Sequence, residues 1–143
     1  MANPKQLSFV LAVTVVLLLA EAMPWAGQNY ETVATKSAET WLALVDNRQY
    51  EQSWQSAARA MRNAVPKEQW TAAMGSARAP LGKLVSRRVS SATYRTSLPG
   101  VPDGKYVVIQ FATSFEQKKE TVETVTPMQE EDGVWRVSGY YIR

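Results

Sequence analysis

The chain contains no cysteine and no histidine, and these two absences exclude a good deal of chemistry. Without Cys there is no disulfide framework and no thiol nucleophile. There is also no cysteine to carry a lipid after an export signal. Without His, the commonest metal ligand and the commonest general base near neutral pH are both missing. A nucleophilic triad needs a base beside its nucleophile. No Ser-x-x-Lys occurs, so only a pairing of chain-distant Ser and Lys is left. Glycine-rich phosphate loops are absent as well, since Gly100 and Gly104 sit in a turn cluster.

Acidic residues are few, and each has an ordinary role. Asp46 reads as a helix N-cap, with Gln49 three residues on. Asp103 and Asp132 precede glycines in turns. Most of the Glu residues fall on helix flanks or hairpin ends. Glu123, the lone strand glutamate, is out of phase with Val122 and Thr124 and is expected in solvent. The run Glu130-Glu131-Asp132 reads as a solvated hairpin end rather than a metal site. No catalytic, cofactor or metal residue is therefore nominated.

What is present fits one globular domain: 143 residues, 45% hydrophobic, 20% charged, net charge +3. That charge is too small and too dispersed for a nucleic-acid footprint. Residues 1–22 have the order of a secretory signal. Lys5 precedes an uncharged run from Gln6 to Ala20, and Ala20-Glu21-Ala22 offers small residues for cleavage. The run is short for a membrane span, so a periplasmic or secreted domain with no stable span after cleavage is expected. An uncleaved membrane anchor is the alternative. Residues 23–30 read as a flexible lead, and 31–143 as the domain.

Helical periodicity places a first helix over Glu31–Val45, with Ala34, Ala38, Trp41, Leu42 and Val45 as its apolar stripe. A second helix carries Tyr50, Trp54, Ala57, Ala58 and Met61, forming an αα-hairpin with the first. A third opens at Pro66, with Trp70, Ala73, Met74 and Ala77 inward. After Gly82 the pattern turns to strands: Leu84–Thr96, Lys105–Phe115, Thr121–Met128 and Val134–Ile142. The first has no clear inward phase, because Arg87-Arg88 interrupts it. The second points Val107, Ile109, Phe111 and Phe115 inward. The third is read with Val122, Thr124, Thr126 and Met128 on one face. In the fourth, a bulge at Ser138-Gly139 would bring Trp135, Val137, Tyr140 and Ile142 to the core face. A valine at Gly139 is expected to be costly there. Helices followed by an antiparallel meander define an α+β layer fold, about three N-terminal helices on the concave face of a curved four-stranded sheet.

Two sets of side chains bear on recognition. Lys83, Arg87, Arg88 and Arg95 cluster near the first strand, as a solubilising edge or as a patch for an anionic partner. Trp41, Trp54, Trp70, Phe111, Trp135 and Tyr140 all project from predicted core faces. They either fill a core or line an apolar pocket between helices and sheet.

The segments AETWLALVDNRQYEQSW (38–54), RAPLG (78–82), SATYRTSLPG (91–100), DGKYVVIQF (103–111), ETVTPM (123–128) and GVWRVSGYYIR (133–143) resemble a bacterial family known only as domain of unknown function 4019. The resemblance implies a cystatin-like, or nuclear-transport-factor-2-like, fold. That superfamily includes enzymes, ligand binders and oligomerisation modules, and the resemblance supplies no catalytic residues. Export and the missing catalytic parts point to a non-enzymatic accessory domain binding a partner protein or a small apolar ligand. A homodimer through the sheet is a further alternative. The competing reading is a small SnoaL-like enzyme, which would need a carboxylate inside the helix–sheet cone.

Overall fold

The computed structural model describes residues 30–143. The expected signal and most of the lead lie outside the described residues. Helix α1 spans Tyr30–Asp46 and buries Ala34, Ala38, Trp41, Leu42 and Val45, the stripe its periodicity predicts. It lies across all four strands. Its end is closed by backbone bonds from Arg48 N–H to Val45 C=O and from Gln49 N–H to Leu44 C=O. Arg48 takes a left-handed φ of 59° to make them. Asp46 is thus the last residue of α1 and caps no second helix, which corrects its expected role. The N-cap position of the second helix is Gln49, without a side-chain bond.

The second predicted helix is two helices, α2 (Tyr50–Gln55) and α3 (Arg59–Ala64). The break has a cause. Ala58 adopts an extended conformation (ψ 149°), and its N–H donates to Val137 C=O at 2.8 Å. The backbone leaves the helix to bond the sheet, and Ala57 and Ala58 are buried in the turn. Helix α4 spans Lys67–Arg78 after an extended Pro66. It buries Trp70, Met74 and Arg78, while Ala73 and Ala77 are exposed. The inward stripe ends on a charge that the apolar pattern does not contain. A 3-10 turn, Ala79–Leu81, then leads to Gly82, whose φ of 73° and ψ of −159° suit glycine alone.

Strands β1 (Leu84–Arg95), β2 (Tyr106–Phe115), β3 (Lys118–Gln129) and β4 (Trp135–Ile142) form an open antiparallel sheet in the order β1-β2-β3-β4. The chain is therefore α+β, helices first and meander second. Bulges explain the phases. In β4, Thr126 pairs with Gly139 and Pro127 with Val137, so Ser138 is the extra residue, where the sequence predicts it. Trp135, Val137 and Tyr140 then share the helix-facing side. In β1, Val85 and Ser90 are extra. They turn Leu84, Arg87, Ala92 and Tyr94 inward and Arg88 and Arg95 outward.

The phase of β3 is opposite to the one expected. Thr121, Glu123, Val125 and Pro127 face the helices, and all four are buried. Register sets this: Ile109 pairs with Val125 and Phe111 with Glu123, and paired residues share a face. Val122, Thr124, Thr126 and Met128 occupy the outer face.

Candidate functional site

Reversing β3 puts Glu123 inside the molecule, fully buried at 0% exposure. This corrects the expectation of a solvated carboxylate. It is held by three strands. Oε1 accepts from Arg87 Nε at 2.7 Å and from Thr113 Oγ1 at 2.6 Å, and Oε2 accepts from the Tyr140 hydroxyl. Arg87 and Thr113 are cross-strand partners on β1 and β2, so one register position aims both at the same oxygen.

The cluster continues into the helices. Arg87 also donates from Nη1 to Asp46 Oδ2 at 2.7 Å and from Nη2 to Asp46 Oδ1 at 3.0 Å. Arg78, at the end of α4, donates from Nη2 to the same Oδ1 at 2.8 Å. Its guanidinium carbon sits 4.7 Å from the centre of the Phe115 ring. Arg78 Nε and Nη1 are buried and have no partner among the described residues. Two guanidinium groups and two carboxylates thus alternate from α4 through α1 and β1 to β3, with charges that cancel.

Burial alone would raise the Asp46 carboxyl, but hydrogen bonds from Arg87 and Arg78, with their charges, hold it below the ordinary carboxylate value. Burial also opposes the charge on Arg87, yet bonds to Asp46 and Glu123 leave it more firmly protonated than a free arginine. Burial, followed by the charge and hydrogen bond of Glu123, pushes the Tyr140 phenol far up. These directions describe a locked set of charges. No cavity among those described is lined by Glu123. One of ≈ 260 Å³, bounded by Val45, Arg48, Tyr50 and Gly75, reaches only Asp46 and Arg78 at the outer end. Among the described residues, no three Asp or Glu converge as metal ligands would.

The six aromatic candidates are brought together only in part. Trp41, Trp70, Phe111 and Trp135 are buried in one core. Tyr140 and Trp54 are half-buried against it. The Trp41 ring packs on Trp70 and Tyr140, with centroids 5.9 and 5.3 Å away. Three indole N–H groups bond to the protein: Trp41 to Ser53 C=O, Trp70 to Ser53 Oγ and Trp54 to Val65 C=O. A surface cleft of ≈ 230 Å³ touches Trp41, with Leu44 and Val137 beside it. A larger open cleft, ≈ 860 Å³, lies between α3 and the β3–β4 turn. It is lined by charged residues including Arg59, Arg62 and Glu131, and by none of the six aromatics.

The basic set divides across the sheet. Arg87 is turned into the ion cluster and is no part of a surface patch, which corrects its assignment. Lys83, Arg88 and Arg95 are exposed. Sequence reasoning missed Glu123, Asp46, Arg78 and Thr113 as a cluster. The one available signal was the Arg87-Arg88 pair breaking the alternation of β1.

A helix layer over an open four-stranded meander, joined by buried ion pairs, defines the chain as a two-layer α+β domain. The family described as "Protein of unknown function (DUF4019)" matches residues 37–140, and the chain belongs to that family. The matched span contains every member of the ion cluster. No curated protein matches the chain.

Proposed function

We propose that the chain is a non-enzymatic interaction module that works outside the cytoplasm, with a fold of the cystatin-like or nuclear-transport-factor-2-like kind. One observation carries the choice against a small enzyme. The carboxylate inside the helix–sheet interface, Glu123, is sealed, and both its oxygens are occupied by Arg87, Thr113 and Tyr140. A general acid or base must reach a substrate atom, and Glu123 has no path to one. Its role in this reading is to fasten helices to sheet, so recognition falls to the surface. The signal-like residues 1–22 support export.

Unfolding of Glu123→Gln tests the reading. A structural ion pair that loses one partner destabilises by about 3–5 kcal/mol, because the other charge stays buried. A catalytic carboxylate is commonly held at a cost to stability, so its removal is neutral or stabilising. We expect the large loss in urea. An unchanged or raised midpoint would return the enzyme to first place.

A further inference from the structure

The two edges of the sheet are unlike. On β4, the Trp135 carbonyl accepts Ser37 Oγ from α1 at 2.7 Å, and the Val137 carbonyl accepts Ala58 N–H at 2.8 Å. Helical segments thus cover the first part of that edge, Trp135–Val137. On β1, among the described residues, the backbone bonds to β2 and no further backbone hydrogen bond reaches its outer side. It is a strand of 12 residues with Val85 63% and Val89 40% exposed. Unpaired N–H and C=O groups along such an edge are a template for another strand.

Charge selects what can add. From Gly82 to Pro102 the sequence has four basic residues and no acidic one. Arg87 is neutralised inside. Arg88 and Arg95, seven apart, share the outer face only because Ser90 is a bulge residue. Neither forms an ion pair among the described residues. A cleft of ≈ 430 Å³ on this face joins Arg88 to Lys119 and Arg143 over a floor of Ser86, Ala112 and Ser114, with Glu120 its one acidic wall. A second copy pairing β1 to β1 would bring arginines against arginines, and like charges on facing strands repel. A strand bearing carboxylates meets the opposite situation.

We propose that β1 takes an extended, acidic segment of a partner protein as a fifth strand, its carboxylates on the outer face against Arg88 and Arg95. This rests on the interaction-module reading and supplies its surface. The test uses the full chain and three short blocked peptides: one alternating Thr and Glu, one with Lys for Glu, and the acidic one interrupted by a central proline. Hydrogen exchange followed by mass spectrometry reads pairing directly. The acidic peptide should slow exchange within Leu84–Arg95 and bind at least about tenfold more tightly than the Lys peptide, roughly 1.4 kcal/mol. In the proline peptide, the proline stands where the acidic peptide would turn an N–H toward β1, so this peptide keeps the charge but breaks the ladder and should give no such protection. Arg88→Glu with Arg95→Glu, both on exposed side chains, should reverse the preference. Equal protection by the proline peptide, protection elsewhere, or none at all overturns the inference. So does peptide-free protection of β1 that grows with protein concentration, since it would mark a second copy. Peptide failure beside a destabilised Glu123→Gln removes only the strand addition; a stable Glu123→Gln removes the module reading whatever the peptides do.

Discussion

Arg87 and Arg88 are neighbours in the chain and end on opposite sides of the sheet. Arg87 links the two carboxylates of the ion cluster, since it bonds both Asp46 and Glu123; Arg88 faces solvent. The first of these bears on the pH dependence of folding through Asp46. The Asp46 carboxyl lies below its ordinary value in the folded chain. A depressed carboxylate stabilises the fold fully above its unfolded value of about 3.9 and loses that contribution as pH falls through its lower folded value. Urea midpoints should therefore decline on the acid side of about pH 4. Asp46→Asn should start lower and show a shallower decline, because the group that takes up the proton is gone. An acid limb of unchanged slope in that variant would mean that Asp46 does not carry the effect. None of this was legible in the sequence. Asp46 sits where a cap is plausible, and Glu123 lies between residues of strong strand propensity, so local pattern argued for surface in both. Their bonds to Arg87 span 41 and 36 residues of chain, and local periodicity is blind to such pairings.

At the scale of elements, legibility depended on whether a segment's own pattern or a distant partner fixed it. Helix α1 and strand β2 carry complete patterns, and both were readable residue by residue. The second predicted helix carries a good stripe yet breaks, because Ala58 N–H finds Val137 on β4. Strand β3 carries Val, Thr, Thr and Met on one side and Thr, Glu, Val and Pro on the other, so composition favours neither phase and pairing with β2 decides it. The bulge in β4 was readable since Trp135 and Tyr140 cannot both be inward without it. The backbone at Gly139, however, does not require glycine. Gly139 is not among the residues with positive φ. A Cβ there would meet Thr126 Cβ at 3.8 Å, an ordinary contact. Gly139→Ala should leave thermal unfolding within about 0.5 kcal/mol of the parent. A loss well beyond that would show that the bulge does need glycine.

Over the whole molecule, the layer order and the aromatic core were legible, while the seam of charge between the layers was not. Thr113 and Glu123 bring β2 and β3 to a point that Asp46 and Arg78 reach from α1 and α4. The helix layer is thereby keyed to one position on the sheet, as well as pressed against it by apolar burial. The proposed export belongs to this scale too, since it would act on the whole chain. If the signal is cleaved, protein taken from the native envelope should begin at Met23, which an intact mass would report. A species keeping residues 1–22 and staying with the membrane would favour the anchor instead.

The covering of the first part of β4 by Ser37 and Ala58 has a consequence for assembly. A sheet with two open edges can pass strands from molecule to molecule without limit, and that is the route to fibres. A sheet with one long open edge and one partly covered edge offers its two sides unequally. A strand added at β1 would leave on the far side only the second half of β4, Gly139–Ile142, without a helical bond, so a matching second addition is disfavoured. The contacts that hold α1 and the α2–α3 junction to β4 thereby oppose continued growth if β1 engages a strand as proposed.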